Sequence, residues 1–181
     1  MPREITQANI RPSLPADYGA IAAIYNEAIS TGSITFDTQP FAAEDIQAWV
    51  DKFCDREGLL VAERDHRILG WGLIKQYSDR PGYRVCCETS IYLTLAARGK
   101  GYGRLLQTTL LEKVAALGYH HVVVKITATN HSSIAFHQKF GFERVGIQKE
   151  IGHVADRWQD VAIMQLILPQ VPPFPDMSAP K

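Results

Sequence analysis

The sequence predicts an α/β (α+β) fold in which a mixed, largely antiparallel central sheet is flanked by helices, and three observations predict it. Apolar residues recur at helical spacing in three stretches, around Ile21-Ile24-Tyr25-Ala28-Ile29, Ile46-Trp49-Val50-Phe53 and Leu106-Leu110-Val114-Leu117. Short β-rich runs bounded by turn residues lie between and after them. The resulting order, β-α-α-β-β-β-α-β-α-β-β, demands a sheet covered by helices.

Taken in order, Arg3 to Arg11 reads as a first strand, closed by Pro12 and Pro15. Two amphipathic helices follow, separated by Thr31-Gly32-Ser33 and by the polar segment Thr35 to Pro40, which carries Phe36. Gly58 to Glu63 and Ile68 to Gln76 form a hairpin across the charged turn Arg64-Asp65-His66-Arg67. A third long strand runs from Val85 to Leu93, and the helix after it stops at Gly118. Val122 to Ile126 is a buried strand, Asn130 caps a short helix through Phe140, and Phe142 to Ile151 and Arg157 to Leu168 close the sheet. The last thirteen residues hold Pro169, Pro172, Pro173, Pro175 and Pro180, so 169–181 is expected as an extended tail, either loose or laid over a surface, after a single domain at 1–168.

Composition narrows the function. With 181 residues the chain suits one packed domain. Nineteen Lys+Arg against nineteen Asp+Glu leave no basic footprint for a nucleic-acid backbone. No apolar run approaches the roughly 18 to 20 residues that span a bilayer, and the N-terminus lacks an apolar signal region, so a cytoplasmic protein is expected. Three cysteines make no disulfide framework, and Cys86 and Cys87 are neighbours that point to opposite faces of a strand. His120 and His121 diverge in the same way, and without His-x3-His or Cys-x2-Cys spacing no metal is expected.

The most informative segment is Arg98-Gly99-Lys100-Gly101-Tyr102-Gly103-Arg104, between a strand and a helix. Glycines let the backbone approach an anion, and the amides and dipole of a helix N-terminus favour negative charge. A tight turn needs glycines too, but not three basic residues among them. The spacing is neither a Walker A loop, since Gly101 follows Lys100, nor a dinucleotide fingerprint. A pyrophosphate is the expected guest.

Arg98-x-x-Gly101-x-Gly103 resembles the acetyl-CoA pyrophosphate loop of the GCN5-related N-acetyltransferase (GNAT) superfamily, and Asn130, Ala135, Gly141 and Phe142 are similar to its second cofactor helix. The likeness runs from about Ile10 to Leu168. More narrowly, Thr35 to Pro40, Cys87 to Leu93, Arg157 to Val161 and the proline-rich tail resemble the phosphinothricin and methionine sulfoximine N-acetyltransferases. The resemblance implies an acetyltransferase fold and acetyl-CoA as co-substrate. It also implies a small amino-acid-like acceptor such as phosphinothricin, methionine sulfoximine or methionine sulfone, and a homodimer.

Site residues follow from this likeness and from chemistry. An amine must lose a proton before it attacks a thioester, and Glu88, on an apolar strand where burial raises a carboxyl pKa, is the expected base; the other reading is an outward-facing strand acid. His137 stands where many superfamily members carry a tyrosine that protonates the departing thiolate, and is either that donor or a helix-surface histidine. Ile91, Tyr92 and Leu93 are expected to bind pantetheine through their backbone. Arg98, Gly99, Lys100, Gly101, Tyr102, Gly103 and Arg104, with Asn130 and Ser133, are expected to hold the rest of the cofactor. Arg80 and Arg84 are expected to read an acceptor carboxylate or phosphinate, although a solvated loop explains arginines equally well. Phe36, Thr89 and Ser90 complete the expected acceptor site, Phe36 being either its lid or a core anchor. The alternatives are a peptide N-terminal or polyamine acetyltransferase, or a non-catalytic acyl-CoA sensor.

Overall fold

A computed structural model describes residues 7–173. The elements are β1 (Asn9–Pro12), α1 (Tyr18–Ser30), α2 (Ala43–Val50), β2 (Gly58–Arg64), β3 (Arg67–Gln76), β4 (Cys86–Leu93), α3 (Tyr102–Ala116), β5 (His121–Thr127), α4 (His131–Gln138), β6 (Glu143–Val154) and β7 (Arg157–Ile167). Their order is the expected one. Seven strands form one sheet in the order β1-β2-β3-β4-β5-β7-β6, antiparallel at every pairing except β4 with β5.

Strand alternation sorts the core into two layers. Leu59, Val61 and Trp71 face α1 and α2, where Ile21, Ile24, Tyr25 and Ile46 are buried. Leu60, Ile74, Cys87, Val122, Val124 and Ile126 face the opposite way, onto Leu106, Leu110 and Val114 of α3. Each helical stripe therefore has a sheet face to cover, and burial of these side chains supplies the driving force for both.

Some boundaries depart from expectation. Residues 3–6 of the expected first strand lie outside the described residues, and Gln7 and Ala8 precede the strand without joining it. Pro12 ends β1 within the sheet, which an edge strand tolerates because its outer side needs no ladder hydrogen bond. β6 continues past Ile151 to Val154 because register shifts at Arg144/Gly146 and Gln148/Gly152 absorb extra residues without ending the pairing with β7. Both hairpins turn on two residues of positive φ, Asp65-His66 and Ala155-Asp156, the geometry that matches strand twist. Of the proline tail, Val171 is buried, its amide donates to the Leu168 carbonyl and its carbonyl meets His120 Nδ1 at 2.8 Å; 174–181 lie outside the described residues.

Arg11 on β1 joins Asp17 (2.7 Å) and Glu63 of β2 (2.7 Å), fastening the start of α1 to the sheet edge. The Arg11 hydrogen bond and the Leu14 amide hold the Asp17 carboxyl below its ordinary value of 3.8 against the opposing effect of burial. A depressed folded-state pKa means that the stabilisation is present above pH 3.8 and is lost as pH falls through the lower, folded value. Asp17→Asn should cost about 1–3 kcal/mol in urea unfolding at pH 7. The gap between variant and wild type should close below the ordinary carboxylate value; a gap that persists there would assign the effect to packing.

Candidate active site

β4 and β5 pair only over Cys86–Glu88 and His121–Val123, although both strands continue. Beyond Glu88 the β5-facing edge of β4 has no strand partner among the described residues. A cleft of about 980 Å³ opens there, lined by Ile91, Tyr92 and Leu93 on one side and by Asn130, Ser133 and Phe136 on the other. A backbone edge left unpaired beside a cleft offers N–H and C=O groups to an amide-bearing chain.

The head of the cleft is the glycine loop. Gly99 (φ +72°) and Gly101 (φ +90°) adopt left-handed backbone that other residues enter at a cost, and Gly101 is the N-cap of α3. Its carbonyl accepts from the amides of Arg104 and Leu105, starting the helical ladder, so the amides just ahead of them lie outside it. Gly103 meets a different need, because a Cβ there would stand 3.2 Å from Leu93 Cδ1. Arg98, Gly99, Gly101, Gly103 and Arg104 line the cleft. Cationic side chains and a helix N-terminus together suit a pyrophosphate.

A second cavity of about 840 Å³ lies on the α1/α2 face of the sheet and meets the first at Ile34 and Tyr92, which line both. Its floor carries Glu88 and Ser90 of β4, Lys75 of β3 and Lys125 of β5. Glu88 Oε2 accepts from Lys125 Nζ at 2.6 Å, with the two side chains 29% and 48% exposed. Its walls are aromatic: Trp71 stacks on Tyr92 (4.6 Å between centroids), and the edge of Tyr25 meets Tyr92 at 5.0 Å. Tyr25 donates to Asp37, and its hydroxyl lies 2.8 Å from Thr35 Oγ1. Burial pushes the Tyr92 phenol up to about 12 and raises Tyr25 as well, so both stay neutral donors near pH 7.

The expected residues divide between these cavities and the core. Ile91, Tyr92, Leu93, Arg98, Gly99, Gly101, Gly103, Arg104, Asn130 and Ser133 come together at the first cleft, while Phe36, Glu88 and Ser90 come together at the second. Asn130 also caps α4, its Oδ1 accepting from Ser133 N at 3.1 Å. Phe36 is 41% exposed and lies over Gly152 of β6, where a Cβ would come within 2.1 Å of its ring, so it is no core anchor.

Seven of the expected residues depart from expectation. Thr89 is 3% exposed because it alternates with Glu88 and Ser90 and so points away from the second cavity. Arg80 and Arg84 line neither cavity: they flank a 3-10 turn at Pro81–Tyr83, Arg80 is exposed and the Arg84 carbonyl is held by Arg56 at 2.7 Å. Lys100 borders a separate depression with Arg64 and Arg67, and Tyr102 is buried with its hydroxyl accepting from Arg64 at 2.7 Å. His137 is 4% exposed, edge-on to Phe136 and Phe142, and its Nδ1 meets the Ser133 carbonyl at 2.8 Å. Burial lowers its pKa, and a ring buried under α4 and absent from the cleft lining is no proton donor to that cleft. Glu88 itself is half-buried and ion-paired, not enclosed in apolar surroundings.

Among the cavity residues that escaped the sequence reading are Lys125, Tyr25 and Asp37. Lys125 left a signal, a charge inside the apolar run Val122 to Ile126. Tyr25 had the spacing of a core residue, and Asp37 lay in a loop with no period to place it.

Residues 21–142 match the model of the acetyltransferase (GNAT) family. The chain is 34% identical to an L-methionine sulfoximine/L-methionine sulfone acetyltransferase of Pseudomonas aeruginosa, over 96% of this chain and 99% of that protein. It is 31% identical to a phosphinothricin N-acetyltransferase of Streptomyces coelicolor, over 86% and 94% respectively. Among solved structures, a GNAT superfamily phosphinothricin acetyltransferase from Sinorhizobium meliloti in complex with AcCoA superposes with a TM-score of 0.85 at 32% identity, covering 90% of this chain and 89% of that one.

Proposed function

The chain belongs to the acetyltransferase (GNAT) family, and from that premise we propose that it transfers acetyl from acetyl-CoA directly to the α-amine of a small amino-acid analogue, such as phosphinothricin, methionine sulfoximine or methionine sulfone, with Glu88 as general base. One observation carries this reading. The cleft with the anion loop and the cavity that holds Glu88 meet at Ile34 and Tyr92, so donor and acceptor sites join within reach of one carboxylate.

The cofactor cleft fits the group it would take, because a split sheet edge, positive-φ glycines and two arginines match an amide-bearing arm that ends in a pyrophosphate. Acetyl-CoA supplies the activated acetyl group. Arg98, Arg104 and the loop backbone bind its phosphates, and the unpaired edge of Ile91 to Leu93 orients its arm. Glu88 accepts one proton from the acceptor ammonium, directly or through water, and leaves the amine lone pair free to attack the thioester carbon. As the N–C bond forms the C–S bond breaks, and the second amine proton goes to the departing thiolate through solvent. Trp71, Tyr92 and Phe36 wall the acceptor and limit water.

Direct transfer is favoured over an acyl-cysteine route by the thiols themselves. Burial pushes Cys86 up to about 11 and raises Cys87 further, so neither offers a thiolate near neutral pH. Intact-mass analysis after incubation with acetyl-CoA alone should show no added acetyl group; a stoichiometric one would replace direct transfer with a two-step route.

A homodimer is part of the same reading. β6 is an edge strand that exposes Val145 (60%) and Ile151 (56%), with Trp158 (64%) beside it on β7. Three free thiols suit the cytoplasm.

The test is release of CoA thiol with a panel of acceptors: phosphinothricin, methionine sulfone, a short peptide and spermidine. Turnover confined to the amino-acid analogues is the expected result. Turnover with the peptide or spermidine alone would move the substrate class, and no turnover with any acceptor despite acetyl-CoA binding would make the chain a sensor.

A further inference from the structure

Lys125 sits where an apolar residue would be expected, in a strand whose other side chains from Val122 to Ile126 are buried. Parallel pairing sets Val123 against Glu88, and two residues further on, on the same face of the sheet, Lys125 reaches back to Glu88 Oε2 at 2.6 Å. With side chains half in water, such a pair contributes little to folding. Its position in the floor of the acceptor cavity is what distinguishes it.

The other two carboxylates of that cavity are held by neutral donors. Asp37 accepts from Tyr25, and Glu57 accepts from the amides of Cys54 (3.0 Å) and Gln76 (2.8 Å). Glu88 alone among the three is held by a cation, and an incoming ammonium can exchange with a cation. An α-amino acid carries its ammonium and carboxylate on one carbon, the spacing needed to enter between a carboxylate and an ammonium already in contact. Arg80 and Arg84, expected to read the acid group, do not reach this cavity.

Resting on the function proposed above, we infer that Lys125 determines acceptor specificity: the substrate ammonium replaces Lys125 on Glu88, and the released Lys125 ammonium takes the substrate carboxylate. One ion pair becomes two. An amine without a carboxylate displaces Lys125 and returns no partner to it, so the cavity selects zwitterions over amides and polyamines. Lys75, the cross-strand partner of Glu88 in the same cavity, adds positive potential on that side.

Steady-state kinetics with L-methionine sulfone and its amide, on wild type, Lys125→Met and Lys125→Arg, test this. Wild type should prefer the free acid at least tenfold in kcat/KM. Lys125→Met should lower kcat/KM for the acid at least tenfold more than for the amide, chiefly through KM, and Lys125→Arg should restore most of the preference. Lys125 is nearly half exposed, so neither variant threatens the fold. An unchanged acid-to-amide ratio in Lys125→Met, or an equal fall in kcat on both substrates, would overturn the inference, the second by showing that Lys125 serves Glu88 alone. An active wild type indifferent to acid or amide sinks this inference but not the proposed function. A wild type that acetylates only the peptide or spermidine sinks both.

Discussion

Glu88→Gln should retain the fold and acetyl-CoA binding while cutting kcat at pH 7 by about 10²- to 10⁴-fold, the usual worth of a general base. Glutamine keeps the shape of the side chain and cannot take the proton. It also breaks the ion pair to Lys125, but a pair this exposed is worth at most about 1 kcal/mol, so thermal stability should change little. The pH profile separates the base from a mere contact. Without a base the rate depends on the fraction of acceptor that is already neutral, which rises about tenfold per pH unit below the amine pKa. The variant should therefore recover part of its rate in alkali, so that its deficit relative to wild type narrows as pH rises. Parallel profiles, or a loss smaller than tenfold, would leave Glu88 a structural or orienting role.

Gly101→Val should weaken acetyl-CoA binding at least tenfold, about 1.4 kcal/mol. Gly101 caps α3 at φ +90°, a conformation that a β-branched residue adopts only under strain. Valine must either pull the loop out of shape or bring a side chain to the point where the phosphates approach. Both outcomes damage the same site. Because strain at a helix cap also lowers stability, the melting temperature should be measured alongside calorimetry, and Gly101→Ala, with a smaller side chain, should give an intermediate loss. Unchanged affinity in a folded Gly101→Val protein would remove the loop from the cofactor site.

Local chemistry carried much of the reading. Helical stripes such as Leu106-Leu110-Val114 and the charged turn before Arg67 are short-range patterns, and the structure keeps them as α3 and the β2–β3 hairpin. The glycine loop was equally legible, since positive φ at Gly99 and Gly101 is a property of the residues themselves. Even the error at Thr89 had its remedy in the sequence, because a period of two sends the neighbours of Glu88 to the other face.

What the sequence by itself determined was therefore the elements, their order, the anion loop and the strand that carries Glu88. Only the tertiary structure decided what stands beside that carboxylate. Lys125 lies 37 residues away in the chain, and it reaches Glu88 because β4 and β5 pair in parallel for three residues and then part. The same packing turned His137 into the core beneath α4 and kept Arg80 and Arg84 out of the cavity that holds Glu88. Periodicity records which face of an element is apolar. It does not record which two elements will meet, because that depends on burying all the apolar faces at once.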